Sequence, residues 1–237
     1  MDQRDVEAGI GREYFTNRFQ LDILKALLSR TKLRETASIL SIGCGEGNEL
    51  EVLKRYGVVD VLDIDGEAIE SIPKGDYCRC IVGDICDFKS VDKYDLIVGL
   101  EVLEHIVADA KAVECIADCM KPGGFFVFSV PAHQFLFSSH DRFLNHVRRY
   151  SSKGLKSLLS GRFTVAFLSF RYFFLFLPVF LSKLVNRDRD AGVEAPKLPG
   201  FLNEFLYLLC RFEAYLFGLG ISLPLGISLV GIAKRRT

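Results

Sequence analysis

Residues 39 to 49, Ile-Leu-Ser-Ile-Gly-Cys-Gly-Glu-Gly-Asn-Glu, decide how this chain is read. An apolar run, Ser38 to Ile42, breaks into alternating glycines at Gly43, Gly45 and Gly47. The run reads as a short buried strand and the glycines as a turn. Glycine accepts positive φ and carries no Cβ, so a ligand can lie against the bare backbone of such a turn. A dinucleotide-binding turn, G-x-G-x-x-G, needs glycine at position 48, where this chain has Asn48. The spacing here is G-x-G-x-G, which points away from a dinucleotide.

Outward from that turn, strands and helices alternate. Val58 to Leu62 form a second apolar run ending in Asp63-Ile64-Asp65-Gly66. An acidic residue closing the second strand, about 20 residues past the glycines, is placed to accept hydrogen bonds from ribose hydroxyls. The helix signal that begins at Gly66 makes Asp65 the expected cap and leaves Asp63 for the ribose. Short strands are expected at Cys80 to Val82, leading into Gly83-Asp84-Ile85, and at Tyr94 to Leu100, leading into Glu101-Val102-Leu103-Glu104-His105. Helices are expected over 14–30, 47–56, 66–72, 108–120 and 151–160. Further strands are expected over 125–130, 163–171 and 227–233. Such alternation predicts a parallel sheet covered by helices on both faces.

The ordered series Ser-Ile-Gly-Cys-Gly-Glu-Gly, Leu-Asp-Ile-Asp, Gly-Asp-Ile, Tyr-Asp-Leu-Ile-Val, Glu-Val-Leu-Glu-His and Lys-Pro-Gly-Gly spans roughly residues 35 to 131. It resembles the class I S-adenosylmethionine-dependent methyltransferases, and among them the quinone-biosynthesis members. A looser likeness reaches the C-terminus. Val130-Pro-Ala-His133, Ser139-His-Asp141, His146-Val-Arg-Arg-Tyr150 and Leu223-Pro-Leu-Gly-Ile-Ser-Leu229 resemble bacterial and archaeal members that accompany glycosyltransferases. The resemblance implies an α/β, Rossmann-like, doubly wound seven-strand sheet whose last strand is antiparallel. It implies that Gly43, Cys44, Gly45 and Gly47 border the methionine part of S-adenosyl-L-methionine, with Glu101 nearby. By the same likeness Asp63 takes the ribose, Ile64 packs on the adenine, Asp84 holds the adenine amine and Ile85 covers the ring. Tyr14 to Arg18 resembles a segment that folds over the cofactor, in which Arg18 would pair with its carboxylate or stay a solvated helix arginine.

Length and composition set bounds. The chain has 237 residues, enough for one domain with elaborations. We expect an N-terminal helical segment over 1–34, a cofactor core over 35–171, an apolar helical insert over 172–222 between strands six and seven, and a last strand and tail over 223–237. Thirty basic and 30 acidic residues leave no net charge, and no basic run suggests a nucleic-acid partner. Seven scattered cysteines without paired spacing argue against a disulfide framework, and no C-x-x-C pair spaced with histidines suggests zinc, so no metal is expected. The polar start Met-Asp-Gln-Arg-Asp carries no secretory signature, and a cytoplasmic protein is expected.

Methyl transfer to a hydroxyl needs a base, and histidine suits neutral pH. All four histidines lie between 105 and 146, in segments that leave the carboxyl ends of strands. His105 and His140, the latter oriented by Asp141, are the candidate bases. His133, His146, Arg148 and Arg149 are candidates for holding the acceptor, through arginine pairing with an anionic group. In the insert, residues 172–185 are too short and too interrupted by Pro178 to cross a bilayer, which takes about 20 apolar residues. Leu202 to Phe217 carry an apolar stripe. These helices could pack internally, dimerise, contact a membrane surface on its inner side, or line a pocket for a lipid-like acceptor. The expected activity is O-methylation of a small-molecule, glycan, glycolipid or lipid-like acceptor. The alternatives are a nicotinamide-dependent oxidoreductase and a non-catalytic cofactor-binding protein.

Overall fold

The computed structural model describes residues 13–185 and 198–237. The first twelve residues of the expected N-terminal segment and residues 186–197 of the expected insert lie outside the described residues. Helix α1 spans Phe15–Leu28. Seven strands follow in one sheet: β1 Ala37–Ile42, β2 Gly57–Asp63, β3 Cys80–Val82, β4 Tyr94–Leu100, β5 Met120–Pro131, β6 Phe163–Arg171 and β7 Ser228–Arg235. Their spatial order is β3-β2-β1-β4-β5-β7-β6. The first five run parallel, whereas β7 is antiparallel to both β5 and β6. Strand β6 is therefore the edge, and the last strand slots in beside it. The order reverses between β1 and β4, so their carboxyl ends open the crevice in which such sheets hold ligands.

The other helices are α2 Leu50–Leu53, α3 Gly66–Glu70, α4 Asp109–Cys119, α5 Ser139–Phe143, α6 Ser152–Leu159, α7 Phe173–Val185 and α8 Gly200–Gly218. Successive residues of β5 alternate faces, as a strand's period of two requires. Val127 joins Phe19, Leu24 and Leu27 of α1 and Phe217 of α8 in one apolar layer. Phe126 and Phe128 join Val113 and Ile116 of α4 and Leu155 and Leu159 of α6 in the other. Both faces of the sheet are covered, which is the doubly wound fold expected.

Three local expectations are corrected. The helix foreseen over 47–56 shrinks to α2, because the chain from Cys44 to Glu49 is consumed by the turn. Gly47 sits at φ +71, outside the helical region. Lys121 to Gly124, expected to close a helix, instead belong to β5 as an irregularity: Tyr94 pairs with Met120, but Leu96 already pairs with Phe125. Helix α5 forms in the segment after β5, where none was foreseen.

The insert is helical, and α8 docks on α1 rather than on α7. Asn203 Oδ1 accepts from Phe15 N at 2.9 Å, and Tyr207 OH donates to Asp22 at 2.7 Å. Buried Glu213 of α8 accepts from the backbone N–H of Tyr172 at 2.8 Å and of Phe174 at 3.4 Å, satisfying donors at the start of α7. Among the described residues, no helix is long and apolar enough to cross a membrane.

Candidate active site

A cleft of about 1140 Å³ opens at the carboxyl ends of β1, β2 and β4. That exceeds the roughly 300–1,000 Å³ of an ordinary small-ligand pocket and leaves room for two molecules. Its floor is the glycine turn. Gly43 and Gly45 adopt φ +59 and +48. A Cβ on Gly43 would stand 2.5 Å from the side chain of Val102, so both conformation and space require glycine there.

Asp63, at the end of β2, lines the cleft beside this turn. Its carboxylate accepts from Gly45 N at 2.8 Å and Asp65 N at 3.0 Å. Asp65 caps α3 by accepting from Glu67 N and Ala68 N, as the sequence suggested. Both carboxylates border the cleft, but Asp65 is engaged by the start of α3 and Asp63 by the glycine turn. Ile64 projects from the rim, 74% exposed although apolar. Asp84 and Ile85 line the same end, and Asp84 Oδ1 accepts from Cys86 N at 2.8 Å.

Two residues of the turn do not reach the cleft. Cys44 is 1% exposed and packs into the core under α1, where burial pushes its thiol well above the usual range. Gly47 backs onto Leu50 and Ile72. Gly43 and Gly45 face the ligand space. Glu49, unforeseen, lines the cleft beneath them; it is buried, accepts from Ser41 Oγ at 2.6 Å, and burial raises its pKa.

Arg18 reaches the rim but is engaged by Glu204, and its guanidinium stacks 3.5 Å over the Tyr207 ring. These contacts tie α1 to α8.

The far end of the cleft is assembled from distant parts of the chain. Glu101 has φ +56 and accepts from Arg171 Nη2 at 2.6 Å. Arg171, on the last residue of β6, is 4% exposed, and its Nε and Nη1 have no partner among the described residues. Its isolated position in an apolar run gave no sequence signal for this role. Buried Glu104 lies beside Glu101; desolvation, then the neighbouring carboxylate, hold it well above the usual carboxylate range. His105, His140, His146 and Arg149 line the same end.

The acceptor-side expectations need correction. Asp141 is fully buried and orients His146 and Arg149, not His140. Consecutive residues on a helix point about 100° apart, so Asp141 turns inward to close a capping box with Ser138 while His140 turns out. Burial would raise the Asp141 pKa, but hydrogen bonds from His146 and Arg149 outweigh it and hold the carboxyl far below its usual range. His133 is not in the cleft: at φ +64 it stacks on Phe170, with centroids 5.1 Å apart. Arg148 also lies outside, paired with Asp109 at 2.7 Å and donating to Val107 O.

A glycine turn and a strand-ending carboxylate on one side, and imidazoles and paired charges on the other, share this single crevice. Residues 12–162 match the methyltransferase-domain family, and the chain belongs to that family, whose cofactor is S-adenosylmethionine. It is 32% identical over 138 residues to a ribosomal protein L11 methyltransferase from Thermosipho melanesiensis, covering 53% of this chain and 50% of the relative. It is 31% identical over 102 residues to a ubiquinone biosynthesis O-methyltransferase from Acinetobacter baumannii, covering 38% and 42%. The matches thus span half or less of these curated relatives. In fold it resembles the methyltransferase in a complex with the Haloferax volcanii Trm112 activator (TM-score 0.63, 20% identity, 100% and 99% of the two chains). It also resembles the N-methyltransferase NodS from Bradyrhizobium japonicum in complex with S-adenosyl-L-homocysteine (TM-score 0.58, 16% identity, 93% and 88%).

Proposed function

We propose that this protein transfers the methyl group of S-adenosylmethionine to an oxygen of a glycan, glycolipid or other lipid-like acceptor. The observation that carries the reading is Asp63 bonded to Gly45 N on the wall of a cleft with space beyond for a second molecule. The methyl on a sulfonium is already activated, so the protein's main task is to hold donor and acceptor in line, worth at best about 7–11 kcal/mol of the barrier. Asp63 grips the ribose, Ile64 and Ile85 sandwich the adenine, and Asp84 takes its amine. The methionine end then lies over Gly43 and Gly45, directing the methyl toward Glu101, His105 and His140.

An oxygen acceptor is supported by the imidazoles at that end, either of which can take a hydroxyl proton near neutral pH. A lipid-like acceptor, and contact with a membrane surface, are supported by the insert. Phe174, Leu177 and Leu184 of α7 and Phe205, Leu208 and Phe212 of α8 are 41–60% exposed, far more than a solvated face requires. Calorimetry with S-adenosyl-L-homocysteine tests the cofactor reading: heat with it and none with NADH is expected, and the reverse would restore the oxidoreductase alternative. A radiolabelled-methyl assay on lipid and glycan extracts tests the acceptor class, and label recovered only on protein or amines would reject it.

A further inference from the structure

Arg171 stands on the cleft wall with hydrogen-bond capacity left over. It ends β6, is 4% exposed, and donates from Nη2 to Glu101 Oε1 at 2.6 Å. Its Nε and Nη1 have no partner among the described residues. A guanidinium presents a fork of N–H groups on each side of Nη2, so the one bond to Glu101 leaves a whole fork open. Buried donors left unpaired are costly, and the groups whose oxygens match such a fork are carboxylates and phosphates. Neighbouring Glu104 does not fill it. Its oxygens also lack a partner among the described residues, and burial, then the Glu101 carboxylate, hold its pKa well above the usual range.

The cleft wall is divided by charge. At the glycine-turn end, Asp63, Asp65 and Asp84 are met by backbone N–H groups and by no ion pair among the described residues. That end suits a cationic ligand such as a sulfonium. At the other end the wall carries Arg149, Arg171 and three imidazoles. The acids there are answered. Asp141 accepts from Arg149 at 2.7 and 2.9 Å, Glu101 is paired with Arg171, and Glu104 keeps its proton to higher pH than a solvated acid. An anion entering this end meets donors and no unmatched charge of its own sign. Of the arginines expected to hold such a group, Arg148 is outside the cleft on Asp109 and Arg149 is occupied side-on by Asp141. Arg171 is the guanidinium with an open fork.

We propose that the acceptor carries a phosphate ester, and that Arg171 receives its phosphoryl oxygens through the fork Glu101 leaves open. Phosphate fits better than carboxylate because it has more terminal oxygens than one fork satisfies. The imidazoles at the same end supply further donors while one of them serves as base. In so buried a place a charge-assisted pair is stronger than in water. Arg171 therefore selects the acceptor and fixes its orientation, and the methyl goes to a hydroxyl elsewhere on the same molecule. Assigning the phosphate to the acceptor rests on the methyl-transfer reading; the anion seat itself does not.

The test titrates the full-length protein by calorimetry, with and without S-adenosyl-L-homocysteine. The probes are glucose 1-phosphate and geranyl phosphate, with glucose and geraniol as uncharged controls. At least one ester should bind about tenfold or more tighter than its alcohol. Preference for the sugar ester or the prenyl ester tells whether a soluble or a lipid acceptor carries the group. Arg171→Lys keeps the charge and loses the fork, so it should weaken ester binding about ten- to a hundredfold and leave S-adenosyl-L-homocysteine affinity unchanged. Arg148→Gln, outside the cleft, should change neither. Esters no tighter than their alcohols, or ester binding intact in Arg171→Lys, would each overturn the seat. Arg171→Gln serves if the lysine variant fails to fold by circular dichroism, and the ester–alcohol contrast in the native chain needs neither. Ester selectivity through Arg171 without S-adenosyl-L-homocysteine binding would strike the methyl-transfer reading and leave the seat. The converse would strike the seat alone.

Discussion

The two ends of the cleft are built in opposite ways. At the glycine-turn end, proposed for the cofactor, each candidate group closes a parallel strand or follows it within two residues: Gly43 after β1, Asp63 closing β2, Asp84 after β3. Strand direction and burial fix where these residues point, so local sequence is nearly enough. At the acceptor end, Glu101, Glu104, His146, Arg149 and Arg171 are brought together by contacts across as many as 70 positions, the separation of Arg171 from Glu101. Each depends on a partner that only the finished fold supplies. Damage at the first end should therefore appear in ligand affinity, and at the second in stability as well.

The largest effect expected at the cofactor end is that of Asp63→Ala. Two hydrogen bonds from ribose hydroxyls to a carboxylate are each worth about 1.5–3 kcal/mol. Calorimetry should show S-adenosyl-L-homocysteine binding at least about a hundredfold weaker, with a smaller loss of stability from the Gly45 and Asp65 N–H groups that lose their acceptor. A variant that binds normally would erase the contrast between the two ends.

At the other end, Arg171→Met removes the partner of Glu101 in a mostly buried pair. Breaking a fully buried pair costs about 3–5 kcal/mol, and the lower figure applies here because the Glu101 side chain is 27% exposed. For a chain of this size that is a drop of roughly 10 °C in melting temperature. If melting is unchanged while methyl transfer fails, Arg171 serves substrate and not structure.

The same contrast explains what was legible beforehand. Seven strands and their order of appearance could be read because apolar runs and glycine or acidic punctuation are local signals, whereas the antiparallel last strand was implied by the family resemblance alone. The Asp65 cap and the position of Asp63 and Asp84 on the cleft could also be read. Pairing Asp141 with His140 was wrong because adjacency in sequence is not adjacency on a helix. His133 and Arg148 looked equally available, yet one stacks into the aromatic layer and the other serves Asp109. Arg171, Glu49 and the isolation of Glu104 had no sequence signature. Their roles arise from which side of a strand or turn is turned toward the crevice.

A smaller effect separates α7 and α8 from the core through pH. Burial raises Glu213 from its ordinary 4.5 to about 7, more than the backbone N–H groups of Phe174 and Tyr172 lower it. Below pH 4.5 folded and unfolded chains both hold the proton, and between 4.5 and 7 only the folded chain does. Each rise in pH across that window therefore favours unfolding, and above 7 the contribution is constant. Melting temperatures of the native chain should fall by several degrees relative to Glu213→Gln between pH 4.5 and 7, then run parallel. Parallel curves throughout would mean that Glu213 titrates as an exposed acid.

The smallest effect on stability should come from the outer face of the insert, and there the comparison turns inside out. Phe205 and Phe212 are 56% and 52% exposed, so Phe205→Ser and Phe212→Ser should alter stability by no more than about 0.5 kcal/mol. Neither helix has the Lys- and Arg-rich polar face of a strong interfacial anchor, so any membrane contact must come from these apolar side chains. Cosedimentation with neutral phospholipid vesicles should then fall sharply in the double variant and respond little to salt. Equal sedimentation of native and variant chains, or none by either, would return α7 and α8 to the role of a lid packed on the sheet.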